Sequence, residues 1–562
     1  VLQSNTLRDT CYAHAKGDRI KIIPVTKIKA LLQGKTPQIL VVMAFISFKL
    51  LLNGNMGEVN EVDILPFAKQ YADPNWIPGD WYLNQPPGYR LLFLTLYGKL
   101  TVIWGLFATS LIGRLLCYAL VSSELVLLGR KLGLSLPLLL LAVGLFLYVD
   151  SDQGVAAHEW LVGGFEPKSV TYGLLLLAVR LMLDGRYCLM ALMLGLATSF
   201  HALVGGWAFL AVVGWLVLRR KTDFADIRYL GSILLIYLAT SGFAVWTVLE
   251  QLFTPTPAGS VKPSYVYVFL RSPNHLNPLS WSSNWWLKPL IYLLVLALSV
   301  GWLWRQRHSQ SFSKQYSARI GLAEFTLMTL VPFILGLVVA PFDSQGSFLQ
   351  YYPFRLGDIM LPLNTCLLLA CALEQTWTGR GRRNLVVCCI LLLSLISSVQ
   401  AVRFQQQLLA VHQFPSQQQG VDSEWKALCT WVRSHTPKNA VVVSPPAEFD
   451  NFTWLAERPT IAKFKLVPPT KASVIGWYER LTDLSGDLYP WPIVTNKEDN
   501  KSEIENKLTT GYNHLSVAEA ENLMMKYRAD YFVTRIEHQL DLPIAYRNSV
   551  YILYGKIAQR NL

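Results

Sequence analysis

Residues 187–221 read YCLMALMLGLATSFHALVGGWAFLAVVGWLVLRRK. The stretch is apolar from Tyr187 to Leu218 and ends in three consecutive cations, Arg219, Arg220 and Lys221. It reads either as one long crossing of a bilayer or as two short helices turning at SFHALVGG, residues 199–206. The choice fixes the side on which every later loop emerges. Cations flanking apolar spans collect on the cytoplasmic side. Arg8, Lys16, Arg19, Lys21, Lys27, Lys29 and Lys35 precede the first apolar span, which predicts a cytoplasmic N-terminus. With two short helices at 187–218, Arg219–Lys221 return to that same side. So do Arg130 and Lys131, Arg186, the group Arg305, Arg307, Lys314 and Arg319, and the group Arg380, Arg382 and Arg383. The two-helix reading is therefore adopted. Half-length helices are tolerated where protein covers them or where they line a polar cavity.

Working outward, apolar runs recur along the whole chain. Of 562 residues, 52% are hydrophobic and 15% charged, and the mean hydropathy is +0.31. Soluble domains carry about a quarter charged residues. The pattern predicts a polytopic α-helical membrane protein with about eleven transmembrane helices. They fall near 38–53, 104–128, 135–149, 168–183, 188–200, 202–218, 229–250, 288–304, 320–340, 356–373 and 384–402. Pro86–Leu100 is short and broken and reads as an interfacial helix. The net charge of +13 is explained by the basic turns, so no nucleic-acid partner is expected. The cysteines show neither a CxxC pair nor a Cys/His zinc spacing. P-loop, GxGxxG, HExxH and GxSxG motifs are absent, which argues against the common nucleotide-binding and protease classes.

The expected organisation has three parts. Residues 1–37 form a cytoplasmic basic N-terminal segment that does not read as a cleavable signal. Residues 38–402 form the transmembrane domain, with acidic external loops at 54–103 and 150–167. Residues 403–562 form a soluble, non-cytoplasmic (periplasmic or lumenal) α/β domain. In this tail Ser423–His435 and Ser516–Tyr527 read as helices, the latter opened by a capping box of Ser516 and Glu519. Ala440–Ser444, Asp530–Thr534 and Val550–Tyr554 read as strands.

Polar chemistry concentrates on the non-cytoplasmic face. The first loop supplies Glu58, Glu61 and Asp63, candidate bases for deprotonating a hydroxyl. The second supplies Asp152, His158, Glu159 and Glu166, of which Asp152 and His158 are candidate ligands for a divalent ion such as Mg or Mn. Lys168, Arg271, His275 and Arg355, with His201 at the turn of the broken pair, are candidates for a phosphate at headgroup depth. Each has a structural alternative. Arg355 can pair with Asp358 one turn on, His201 can cap a turn, and Lys168 can snorkel.

Several strings carry a family resemblance: NWIPGDWY with PPGYR, GGFEPKSVTYGLLLLA, ATSFHALVGGW, FLRSPNHLNP, YYPFRLGD, VVVSPPAEFDNFTWLAERP and YRADYFVT. Together with an acidic loop after the first span and a C-terminal domain on the same face, they resemble the C-type membrane glycosyltransferases, the GT-C fold. They are most similar to an uncharacterised bacterial membrane family of that architecture. The resemblance implies transfer of a sugar from a polyprenyl-phosphate donor to an acceptor on the non-cytoplasmic face. It implies a base among Glu58, Glu61 and Asp63, and phosphate contacts from Lys168, Arg271, His275 and Arg355. The first loop spreads its acids as ExxExD rather than as an adjacent pair, which leaves the base open among the three, and the tail lacks a WWD-type signature, which argues against an oligosaccharyltransferase. A rival expectation is a non-catalytic accessory or assembly subunit of a larger membrane complex, with the aromatic loops and tail as contact surfaces. A transporter would need an internal repeat of spans and paired charges at mid-bilayer, and neither is found.

Overall fold

The computed structural model describes residues 34–52, 60–149, 152–223, 227–255, 261–307, 313–376, 417–486 and 501–555, with scattered positions between 384 and 402. Its first part is helical: α1 Lys35–Leu52, α2 Glu61–Ala72, α3 Leu91–Leu132, α4 Leu136–Tyr148, α5 Pro167–Leu183, α6 Tyr187–Phe200, α7 Ala202–Asp223, α8 Ile227–Phe253, α9 Ser283–Arg305, α10 Ser313–Val339 and α11 Arg355–Thr376. Ten of the expected spans fall on these helices, and the eleventh, 384–402, lies largely outside the described residues. Six are long and apolar enough to cross a bilayer: Gly88–Leu132, Ala202–Arg219, Leu230–Phe253, Trp285–Arg305, Gln315–Val339 and Arg355–Thr376. Lys35–Phe48, Leu136–Tyr148 and Tyr187–Phe200 are apolar but shorter. The chain is thus a multi-pass membrane protein, and the count of about eleven transmembrane helices is not confirmed among the described residues.

Residues 187–221 form two helices. His201 leaves the helical region (φ −146°, ψ 96°) and separates α6 from α7. The two helices then pack closely at the turn, where a Cβ on Gly205 would stand 2.4 Å from the Thr198 backbone. The segment expected as an interfacial helix forms the first part of α3, and a break at Gly105 (φ 79°, ψ 168°), a conformation open to glycine, divides it from the part that runs on to Leu132. Thr109 donates its hydroxyl to the Gly105 carbonyl at 2.8 Å, satisfying an acceptor at the break. This first part of α3 carries α2 against it, with Gly98 admitting the Ala68 carbonyl.

α11 is the most enclosed of the long helices, and Arg355, Asp358 and Asn364 are buried along it. Polar groups at such depth need partners. Two of them, Arg355 and Asp358, organise the site described below.

The C-terminal part is a small sheet domain. Its elements are α12 Gln417–His435, β1 Val442–Val443, α13 Phe452–Ala456, α14 Lys471–Leu484, α15 Lys501–Tyr512, α16 Val517–Lys526, β2 Tyr531–Arg535, β3 Ile544–Arg547 and β4 Tyr551–Gly555. The strand order is β1-β2-β4-β3, parallel between β1 and β2 and antiparallel elsewhere. The Ser516–Glu519 capping box opens α16 as its sequence predicts. The strand β3 carries exposed residues at most positions and a register shift between Ile544 and Tyr546, so no alternation announced it. The domain is seated on the turn after α2. The Trp76 indole donates to Glu457 at 3.1 Å, and the Thr460 amide donates to Asp80 at 3.2 Å.

Candidate functional site

A chamber of about 780 Å³ lies where α2, the 152–166 loop, the 266–282 segment and the foot of α11 meet the C-terminal domain. Pockets of roughly 300–1,000 Å³ hold drug-sized ligands. Among the described residues five fixed cations line it, Arg90, Lys168, Arg271, Arg355 and Lys501, against three carboxylates, Asp63, Glu159 and Glu166. His158, His201 and His275 also line it, and its aromatic walls include Tyr89, Trp160, Tyr267, Trp285 and Tyr352.

Glu159 is its electrostatic centre. Its side chain is 1% exposed and accepts from Arg355 Nε at 2.6 Å and from Lys168 Nζ at 3.1 Å. Burial opposes its ionisation, but Arg355 and Lys168 hold the carboxyl well below the usual range. Lys168 also meets Glu166 at 3.2 Å and lies 4.0 Å above the Trp160 ring. The Arg355 guanidinium stacks 3.7 Å from the Tyr352 ring, and its Nη1 donates to His201 Nε2 at 3.1 Å.

The pairing of Arg355 with Asp358 does not form. Asp358 instead accepts backbone N–H groups of the 152–166 loop: Val155 at 3.0 Å, Ala156 at 2.7 Å, Ala157 at 2.9 Å and Glu159 at 3.0 Å. Gly154 makes room for this, since a Cβ there would lie 2.0 Å from Asp358 Oδ2. α11 thus holds the loop's backbone with one residue and its central carboxylate with another. His158 and Tyr352, both facing the chamber, have left-handed backbones (φ 52° and 53°), strain that tends to gather at functional sites.

The three expected bases separate. Glu58 lies outside the described residues. Glu61 is fully buried, held bidentately by Arg114 at 2.7 Å on both oxygens and by the Ser110 hydroxyl at 2.8 Å, and it also takes the Phe165 amide. It does not line the chamber. Asp63 does, accepting from Arg90 at 2.9 and 3.2 Å and from the Tyr82 hydroxyl. Burial pushes the Asp63 carboxyl above its ordinary range, against the pull of Arg90.

Arg271 donates from Nη2 to the Lys465 carbonyl of the C-terminal domain at 2.9 Å. His275 Nδ1 lies 2.5 Å from the Ala157 carbonyl, so that nitrogen carries the proton. Burial lowers His275 to about 3, which keeps the ring neutral and leaves Nε2 as an acceptor. Asp152 and His158 bond each other at 2.7 Å, and Lys288 donates to the Asp152 carbonyl at 3.0 Å. Among the described residues no group of three or more His, Cys, Asp or Glu side chains could hold a metal ion. The chamber's acids Asp63, Glu159 and Glu166 are each neutralised by Arg or Lys, so this donor set does not fit a divalent ion.

Sequence reading missed Arg90, Tyr352, Asn274 and Lys501 as lining residues. Arg90 is the last residue of the PPGYR string, and only the folding of α3 against α2 brings it to Asp63.

The fold and chamber define a multi-pass helical membrane protein with a sheet domain closing a cationic cavity. A family model for a domain of unknown function (DUF6798) matches residues 423–484, from α12 to α14. No curated protein matches the chain. Among solved structures the chain is similar to the crystal structure of the oligosaccharyltransferase of Archaeoglobus fulgidus in the apo form. That likeness has 12% identity and a TM-score of 0.40, and covers 90% of this chain and 70% of that one.

Proposed function

We propose that the chamber is the donor site of a membrane glycosyltransferase that moves a sugar from a lipid-linked phosphate to an acceptor hydroxyl. The observation that carries this reading is the chamber's surplus of fixed cations over carboxylates, with Asp63 in its wall. A cavity of that sign suits a phosphate ester, whose leaving oxygen gains negative charge as the glycosidic bond breaks. In the step, the acceptor oxygen bonds the anomeric carbon, its proton passes to Asp63, and the bond to the phosphate oxygen breaks with its electron pair leaving on the phosphate. The raised affinity of Asp63 for a proton suits that role, and Arg90 and Tyr82 fix its orientation. Aromatic walls offer faces for sugar stacking. Membrane lipids supply the donor's surroundings, and the sheet domain, on the non-cytoplasmic side in this reading, covers the cavity.

The test is transfer of labelled sugar from a total polyprenyl-linked extract to endogenous acceptor, in membranes carrying wild type, Asp63→Asn or Glu58→Gln. Loss of a base lowers the rate by about 10²–10⁴-fold. Full activity of Asp63→Asn removes the base assignment. Full activity of both variants, with a stable co-purifying partner, favours an assembly subunit instead.

A further inference from the structure

Lys168 and Arg355 are committed to Glu159 and Glu166, and Arg90 to Asp63. Lys501 meets Glu505 one turn on at 3.3 Å. Among the described residues Arg271 is the chamber cation that forms no ion pair with a carboxylate. Its Nε is buried and donates to nothing, although Nη2 is fixed on the Lys465 carbonyl. Three residues on, Asn274 Oδ1 is likewise buried and accepts from nothing. Both side chains line the chamber, as does His275, whose free ring nitrogen is an acceptor. An orphaned donor and an orphaned acceptor, each shielded on a side chain that lines one cavity, call for a partner that both accepts and donates once it reaches them. A phosphate ester of a polyol does both, through its anionic oxygens and its hydroxyls.

We propose that Arg271, Asn274 and His275 form a phosphosugar recognition subsite within the chamber. Arg271 Nε–H donates to a phosphate oxygen. Asn274 Oδ1 and His275 Nε2 accept from hydroxyls of the attached sugar. Lys168 and Arg355 then act as positioning residues that hold Glu159 and the 152–166 loop. The backbone around the subsite changes direction there: the turn of Val266–Arg271 ends at Ser272 (φ −135°), and Pro273 starts the short helix Pro273–Leu276, which carries Asn274 and His275. The subsite rests on reading the chamber as the donor site, and the two can fail separately.

The experiment measures binding of inorganic phosphate and of glucose 1-phosphate to the purified full chain in detergent, with thermal unfolding as a fold control. Wild type is expected to prefer glucose 1-phosphate. Arg271→Gln is expected to weaken both probes by about ten-fold or more, with Arg271→Lys recovering part of it. Asn274→Leu is expected to erase the preference between the probes. If Arg271→Gln binds as wild type while Arg355→Gln loses both probes, the subsite is overturned and the cationic chamber stands. If Asn274→Leu keeps the full preference, water rather than sugar satisfies Asn274 and the sugar half is overturned. If wild type binds neither probe, the chamber is not a phosphate site and both readings fall.

Discussion

Arg355 Nε and Glu159 Oε1 lie 2.6 Å apart, joining the first residue of α11 to a loop 196 positions earlier. Both side chains are at most 10% exposed, so this is a buried pair. Removing one partner of such a pair strands the other charge and costs about 3–5 kcal/mol. Arg355→Ala is expected to destabilise by that order, moderated because Lys168 remains on Glu159. Combining it with Glu159→Gln should cost less than the sum of the single changes, by about 0.5–3 kcal/mol. Thermal unfolding of the four proteins in detergent checks this, and strict additivity would show that the pair is uncoupled.

Asp358 makes a second, separable prediction. Its carboxylate accepts four backbone N–H groups of the loop, and Asp358→Ala would leave them without it. Each unsatisfied buried group costs about 1–3 kcal/mol. Gly154→Ala should disturb the same contact from the other side, because the added carbon meets Oδ2. Overpacking of this kind costs about 1–3 kcal/mol. Both variants should gain proteolytic cleavage within 152–166 before global unfolding. Wild-type protease resistance in both would mean the loop is held elsewhere.

Glu61 and Asp63 are two residues apart and are expected to behave differently. Glu61→Ala removes the partner of buried Arg114 and should lower stability by about 3–5 kcal/mol. Where the variant remains folded, its kcat should change little. Asp63→Asn keeps the volume but strands the Arg90 charge, so it should lower kcat and also lower the unfolding temperature. A kcat loss from Glu61→Ala equal to that of Asp63→Asn, at full stability, would reverse the assignment.

Much of this arrangement was legible before folding, and the rest was not, for identifiable reasons. The turn within SFHALVGG could be read because a single crossing from Tyr187 to Leu218 would part Arg219, Arg220 and Lys221 from the other basic turns. The capping box at Ser516 could be read because its chemistry is local. Glu159, Lys168 and Arg355 were each visible as ionisable groups near apolar spans, but their partnership was not, since it joins positions 159, 168 and 355 through tertiary packing. The i, i+3 rule suggested Arg355 with Asp358, and it failed because the loop's unpaired amides compete for Asp358 more effectively than a guanidinium already held by Glu159. Glu61 and Asp63 were indistinguishable in ExxExD. Only the fold sends one to Arg114 and the other into the chamber.

The acid limb of stability should carry two steps, and their signs follow from burial. His275 titrates at about 3 when folded, below its usual 6.5, because burial disfavours the imidazolium more than Glu159 and the Ala157 carbonyl favour it. Between those values the unfolded chain binds a proton that the folded chain does not. Stability is therefore full above about pH 6.5 and falls as pH drops, by at most about 1.4 kcal/mol per unit. Glu159 is held below its ordinary 4.5, so its contribution is full above that value and is lost only as pH falls further. His275→Gln should make the limb between about pH 6.5 and 4.5 shallower, with His201, also held below its ordinary value by burial, keeping the rest, and should leave the steeper loss below it. Glu159→Gln should do the reverse. Unfolding temperature against pH for the three proteins reads both steps. An unchanged slope above pH 4.5 in His275→Gln would mean that the imidazole is solvated and charged, which would also remove its acceptor nitrogen from the chamber.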